Sequence, residues 1–218
     1  MSVPAIPLAL KLRKKLHRDV AAAQDLLVLQ VYASFPESVL HGGTAIWRCY
    51  RGNRFSEDID AFIPHQEARR LEAFVRGLRA RGLVPMKFKE TQNSVYVKFA
   101  YAGAEVRFEA VTEARKEYVV RQYEMLDGSF MLVRTLSPED LILEKIAAYR
   151  GRRKVRDLYD IYFLVNSVEK RDKVAGRLRE FLGEAGRPVD ENILRAVIMM
   201  GTAPAVDDMM EAISGWAR

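Results

Sequence analysis

Apolar and polar positions alternate along this chain with two different periods, and the change of period divides it. From Leu8 to Phe35 the pattern has helical spacing, with Leu16, Val20, Ala23, Leu27 and Gln30 along one stripe and polar residues filling the gaps. One long helix is expected there. Val39-Leu40 then runs into Gly42-Gly43, which reads as a glycine-rich turn. Asp58 to Ile63 reads as a short strand stopped by Pro64. Gln66 to Arg81 reads as an amphipathic helix, with Leu71, Phe74, Val75 and Leu78 on one face and Gly82 as its stop.

In the middle of the chain the period falls to two. Val84–Lys89, Ser94–Tyr101 and Ala104–Val111 alternate as half-buried strands do. In the last of these, Val106, Phe108 and Ala110 face one way, and Arg107, Glu109 and Val111 the other. Two more strands, Glu117–Leu126 and Ser129–Leu136, are joined at Asp127-Gly128, a strong hairpin signal. From Ser137 the chain reads as helical. Serine can cap, Pro138 suits the first helical position, and Glu139 and Asp140 suit the positive end of the dipole. Gly151 is expected to break that helix. A second is expected over Lys154–Ser167, a third over Lys170–Leu182, and two more after that, with Pro188 and Pro204 at the joints. The expected fold class is α/β of the α+β kind, with a mixed sheet over residues 1–136 and a helical bundle over 137–218.

Composition narrows the class. Of the 218 residues, 49% are hydrophobic and 29% charged, as in a folded water-soluble protein rather than a disordered one. The net charge of +6 favours anionic partners such as nucleotides or RNA, although a basic surface alone is also an ordinary solubility device. Cys49 is the single cysteine, so no intramolecular disulfide can form, and its apolar neighbourhood suits a core residue rather than a nucleophile. No apolar run reaches the roughly 18 residues needed to cross a bilayer. The opening Met-Ser-Val-Pro-Ala-Ile-Pro leads into the charged Lys11–Arg18, the wrong order for a signal peptide. A cytoplasmic protein with no membrane partner is expected.

The segment with chemistry in it is His41 to Asp60. Gly42-Gly43-Thr44 has little side-chain bulk, so its backbone N–H groups can approach a phosphate, and the Thr44 hydroxyl could add a hydrogen bond. Asp58 and Asp60 alternate across Ile59, so on a strand both carboxylates share one face. Paired carboxylates repel and call for a cation. Mg²⁺, or Mn²⁺ in its place, fits such oxygen donors and is held by a few carboxylates together with substrate phosphates. Glu109, on the polar face of its strand, is the candidate third ligand, and a three-carboxylate set can serve displacement at phosphorus.

At these residues the sequence resembles the polymerase-β-type nucleotidyltransferase superfamily and, within it, the AbiEii-like toxin nucleotidyltransferases. The superfamily pattern of a glycine turn, an acid pair and a later acid matches Gly42-Gly43-Thr44, Asp58-Ile59-Asp60 and Glu109. The AbiEii-like branch adds Arg54-Phe-Ser56-Glu-Asp58-Ile-Asp60, a helical Leu141–Ala148 containing Lys145, and Arg156-Asp157-Leu-Tyr-Asp160. The match spans about residues 38 to 165, and the last 50 residues carry no matching motif. The resemblance implies a nucleotidyltransferase core followed by a helical domain that completes the active site. It implies NTP as substrate, RNA (tRNA included) or a protein as acceptor, and a cognate antitoxin as partner. Gly42, Gly43, Thr44, Arg54, Ser56 and Lys145 would contact the nucleotide, and Asp157 would orient Lys145 or reach the site.

Each of these has a plainer alternative. Lysines at positions like Lys145 commonly cover a solvated helix face, and Asp157 could form a surface pair with Lys154 or Arg153. Arg152 and Arg153, in a dense basic run, are candidate RNA contacts or merely a solvated connection. A non-catalytic nucleotide- or RNA-binding module of the same fold is the competing function. A kinase-like phosphotransferase lacks its glycine loop here.

Overall fold

The computed structural model describes residues 7–113 and 116–218, so Met1–Ile6, read above for a leader, lie outside the described residues. Two compact units result. One comprises the chain up to Arg51 together with Ser56–Thr135, and the other comprises Gly52–Phe55 together with Leu136–Arg218. Among the described residues no helix is long and apolar enough to cross a membrane.

The first unit is built on one sheet of seven strands: β1 (Val39–His41), β2 (Asp58–Pro64), β3 (Val84–Glu90), β4 (Ser94–Tyr101), β5 (Ala104–Glu113), β6 (Val119–Glu124) and β7 (Phe130–Thr135). Their spatial order is β3-β4-β5-β2-β1-β7-β6, with β2 parallel to β5, β1 parallel to β7, and the other neighbours antiparallel. The strand of the aspartate pair therefore lies at the middle of the sheet. One face is apolar throughout: Ile59, Ala61, Ile63, Val95, Val97, Phe99, Val106, Phe108 and Ala110 join the core formed with the helices. The alternation of β5 reads directly in its burial, with Val106, Phe108 and Ala110 buried and Glu109 and Val111 exposed. The Asp127-Gly128 hairpin forms, with Gly128 at φ +89° and its N–H donating to the Met125 carbonyl at 3.0 Å.

Three expectations for this unit need correction. The first long helix is two, α1 (Leu8–Lys11) and α2 (Lys15–Ser34), because Leu12 and Lys14 are extended. The break lets Leu8 and Leu12 both bury, whereas Leu16, placed on the apolar stripe, is exposed. The glycine turn is the start of a helix, α3 (Gly42–Cys49), entered through Gly42 at φ +71°. The helix expected over Gln66–Arg81 opens with a 3₁₀ turn over Ala68–Arg70 and is α-helical, as α4, over Leu71–Ala80.

The second unit contains α5 (Pro138–Arg152), α6 (Val155–Leu164), α7 (Arg171–Glu184), α8 (Leu194–Val197) and α9 (Val206–Ala217). Ser137 caps α5 by accepting from Asp140 N at 3.2 Å. Gly151 does not break α5, which runs on to Arg152 and ends where Arg153 turns left-handed at φ +49°. A lone helical glycine costs only about 1 kcal/mol, less than the packing of the helix supplies. The short Gly52–Phe55 segment is stitched to this unit by Phe55 N donating to Val197 O at 2.8 Å and Asn53 Nδ2 to Met200 O at 2.6 Å.

Candidate active site

Asp58 and Asp60 face away from the apolar core, as their spacing requires, while Ile59 and Ala61 on either side of Asp60 are buried in it. Strand register then fixes their neighbours. Asp60 stands opposite His41 on β1 and Glu109 on β5, and Asp58 stands opposite Arg107 on β5. Gly42 closes in on Asp60: a Cβ built on it would collide with Asp60 Oδ2. The first residue of α3 therefore lies directly against this carboxylate, and only glycine fits there.

α3 itself is anchored from below. Thr44, expected at the phosphate, is buried, and its hydroxyl donates to the Asp58 carbonyl while accepting from Gln24 Nε2 at 3.4 Å. Gln24 also donates to the Ser56 carbonyl at 2.9 Å, which ties the approach to β2 onto α2. Arg48, 1% exposed, pairs with Asp25 of α2 and lies between the rings of Trp47 and Tyr123, its guanidinium carbon 4.9 and 4.6 Å from their centroids. Burial raises the Asp25 carboxyl to about 6 despite Arg48 and the Leu126 N–H that it accepts at 2.8 Å. Cys49 is a core residue, its thiol pushed up to about 12 by burial.

One contact at the carboxylates was missed in the sequence. Arg107 holds Asp58 bidentately, Nε to Oδ1 at 2.5 Å and Nη2 to Oδ2 at 2.9 Å. Burial lowers the Arg107 pKa, but the facing Asp58 carboxylate outweighs it and raises it overall. The visible signal was the period-two alternation of β5, which puts Arg107 on the face of Glu109. Glu109 is exposed, and among the described residues no three His, Cys, Asp or Glu side chains come together as a metal cluster. The donor chemistry nonetheless fits Mg²⁺ or Mn²⁺: two carboxylates on one face beside a glycine-lined approach suit an ion that takes its remaining ligands from phosphates and water. Asp58 and Asp60 would hold it.

The second unit has a charge cluster of its own. Asp157 and Asp160 are 0% and 1% exposed on α6, and Lys145 of α5 is buried with them. Lys145 Nζ lies 2.8 Å from Asp160 Oδ2 and 3.5 Å from Asp157 Oδ1. Arg152 forks onto Asp157 with two contacts of 2.8 Å. Arg54, expected at a nucleotide phosphate, is buried, with Nε and Nη2 donating to Asp160 at 2.8 Å each and Nη1 to its neighbour's carbonyl, Phe55 O, at 3.0 Å. Burial pushes the Asp160 carboxyl up, but Arg54 and Lys145 together hold it below the ordinary carboxylate range. Arg153 donates to the Arg187 carbonyl from Nε at 3.0 Å and also from Nη2. The pair weighed between Asp157 and Lys154 or Arg153 does not form; Lys154 pairs with Asp190 at 3.5 Å. The Lys145–Asp157 association suggested by the motif is thus present inside this unit, and Asp160 and Arg54 belong to it as well.

Compared by sequence with curated proteins, the chain matches none. Among solved structures, MenT4, a nucleotidyltransferase toxin from Mycobacterium tuberculosis H37Rv, superposes with a TM-score of 0.65 at 18% identity, covering 97% of this chain and 88% of that one. JHP933 from Helicobacter pylori superposes with a TM-score of 0.63 at 19% identity, covering 94% and 91%. Likeness at these identities is likeness of fold. A profile of the nucleotidyl transferase AbiEii toxins of type IV toxin–antitoxin systems matches residues 26–213, most of the chain and all of the motifs described above. The chain belongs to the AbiEii nucleotidyltransferase toxin family.

Proposed function

We propose that this protein transfers a nucleoside monophosphate from an NTP to an acceptor hydroxyl, on RNA, tRNA among the candidates, or on a protein, and releases pyrophosphate. The observation that carries the reading is the juxtaposition of Asp60 with Gly42, whose missing Cβ leaves that carboxylate and the first turn of α3 in direct apposition, with Asp58 two residues away on the same face of β2. The backbone N–H groups at Gly42 and Gly43 begin a helix, where the peptide dipoles favour phosphate oxygens. Thr44 acts from beneath, holding β2 in place through the Asp58 carbonyl rather than touching the substrate. Asp58 and Asp60 would bind Mg²⁺ or Mn²⁺, which when bound supplies charge for the attacking and leaving oxygens. Glu109, opposite Asp60 in register, would accept the acceptor's proton or join the metal site. Lys145, Asp157 and Ser56 are proposed for catalysis and nucleotide contact on the strength of the family motif alone, and within the second unit Arg54 fixes Asp160. The protein would act in the cytoplasm and be restrained by a cognate antitoxin, as membership of a toxin–antitoxin family supports.

The test is incubation with radiolabelled NTPs, Mg²⁺ and total RNA or cell protein. Label should enter one acceptor class, and Asp58→Ala and Asp60→Ala should each abolish it while leaving the circular dichroism spectrum intact. Near wild-type turnover by either variant removes the carboxylate assignment.

A second reading is a nucleotide- or RNA-binding module without catalysis. It is favoured by Arg107, which already neutralises Asp58 without a metal. Tight NTP binding in calorimetry, indifferent to Mg²⁺ and to Asp58→Ala, would select it.

A further inference from the structure

The face of the sheet that carries Asp58 and Asp60 continues outward over β5, β4 and β3, and its residues are ordered by register. One row runs Lys87, Lys98, Arg107, Asp58 across four adjacent strands. The next runs Lys89, Tyr96, Glu109, Asp60. Directly opposed residues share a face, so both rows stand on the side opposite the buried Val95, Val97, Phe99, Val106 and Phe108. Lys87 and Lys89 are exposed, while Tyr96, Lys98 and Arg107 are half-buried. The strip thus begins in lysines at the sheet edge and ends in carboxylates at its centre. Three strand spacings of about 4.8 Å separate the two ends, roughly 14 Å.

The aromatic ring decides what such a strip would hold. Lys87 Nζ lies 5.9 Å from the Tyr96 ring centroid, so a cation and a π face are presented together. Lys98 is drawn to Glu105 at 2.6 Å and Arg107 to Asp58, which leaves Lys87 and Lys89 as the outermost charges. Cations that track a backbone beside a ring on which a base can stack are the two elements of single-strand nucleic-acid binding. An acidic protein surface would use the lysines and have no need of the ring.

We infer that the open face of β3, β4 and β5 is the platform for a single-stranded 3′ end of RNA, with phosphates on Lys87 and Lys89, a base on Tyr96, and the terminal hydroxyl directed along the rows to Asp58 and Asp60. The inference rests on the transferase reading only for the direction in which the strand runs. Binding itself is independent of catalysis.

The experiment measures anisotropy of a short fluorescein-labelled single-stranded RNA with the full chain, without NTP or metal, over a range of salt. Each phosphate contact to a single strand contributes about 0.7 to the slope of log affinity against log salt, so Lys87→Gln/Lys89→Gln should lower the slope by up to about 1.4. Tyr96→Ala should weaken binding about five- to hundredfold, and Tyr96→Phe should restore it, because the ring face and not the hydroxyl is used. The outermost lysines are exposed edge-strand residues, so their replacement leaves the fold in place, which a melting curve verifies. Affinity and slope unchanged in the lysine double variant overturn the platform. So does a poly-glutamate probe that binds as well as RNA and ignores Tyr96→Ala, which would make this an acidic-protein surface. Failure of the transferase reading looks different. If wild type labels no acceptor yet loses RNA affinity and slope on mutation, the platform stands alone. If wild type labels RNA and the lysine variant keeps the same KM for it, the platform falls and the transferase stands.

Discussion

Gly42→Ala probes the contact on which the functional reading depends. Gly42 has φ +71°, and its missing Cβ is where Asp60 Oδ2 sits. Alanine therefore adds two costs of different kind. The left-handed backbone costs about 1–2 kcal/mol for any residue with a Cβ. The overlap with Asp60 must be relieved by moving the carboxylate or the first turn of α3. Gly103→Ala separates the two costs, because Gly103 has φ +82° and a Cβ there meets nothing within 4 Å. For a chain of this size 1 kcal/mol shifts Tm by roughly 2–4 °C, so backbone strain alone predicts a loss of about 2–8 °C in Gly103→Ala, with label transfer unchanged. Gly42→Ala should lose more than that in Tm. It should also lose label transfer by at least about a hundredfold, the penalty typical of a 1 Å displacement at a reacting centre. Adding Asp60→Gly should recover the excess Tm loss, since the collision goes with the side chain, and recover no activity. The assays are thermal melting and NTP labelling on wild type and the three variants. A Gly42→Ala protein that melts with Gly103→Ala and transfers label like wild type would falsify the apposition of Gly42 and Asp60.

Other expectations follow from the ion pairs. Arg107→Gln removes the countercharge of Asp58, a half-exposed pair of the kind worth up to about 1 kcal/mol, so Mn²⁺ affinity by calorimetry should rise up to about fivefold; a fall would mean that Arg107 supports the metal site. Lys145→Ala should destabilise the protein by about 3 kcal/mol in urea, the low end of the range for breaking a buried pair, because Asp157 keeps Arg152 and Asp160 keeps Arg54. No change in the urea midpoint would show that Lys145 is not buried with these acids. Asp160, held below its ordinary pKa in the fold, contributes stability that is present above about pH 4 and disappears as pH falls through its depressed folded value. Acid unfolding followed by circular dichroism should therefore have a shallower limb below about pH 4 in Asp160→Asn than in wild type, and equal limbs would contradict the depressed pKa.

The sheet was legible because its strands obey one period and one face. β4 and β5 start where the alternation starts, and Asp127-Gly128 can form only a narrow set of turns. What misled at the first helix and at α3 was the same thing seen twice. Helical periodicity reports which side of a segment is apolar, but it does not report whether the chain must bend to bury two such sides. Leu8 and Leu12 bury only if Leu12 and Lys14 leave the helix, a demand made by the packing and not by the local sequence. Gly42-Gly43 reads as a turn on propensity alone. The helix that follows is held by Arg48 and Asp25, residues 23 apart, a pairing that no local window contains.

The same distinction explains which site residues could be read. Asp58, Asp60 and Glu109 were identified by spacing within strands, and register brings Asp60 and Glu109 side by side. In the sequence Thr44 suits phosphate by its hydroxyl, and Arg54 is a nucleotide contact only through the family motif. Their side chains instead hold the Asp58 carbonyl and the Asp160 carboxylate. A hydroxyl or guanidinium near a phosphate site satisfies either role equally in sequence, and only burial separates them. Arg107 was the recoverable one. Two carboxylates at i and i+2 on a central strand repel each other, and a cation facing them from a neighbouring strand relieves that repulsion. The residue two before the third acid shares its face. That rule selects Arg107 on β5 without coordinates and, carried one strand further, leads along the row to Lys98 and Lys87. The charges that balance the carboxylate pair and those proposed to hold the acceptor are thus successive members of one row across the sheet, fixed by register rather than by separate motifs.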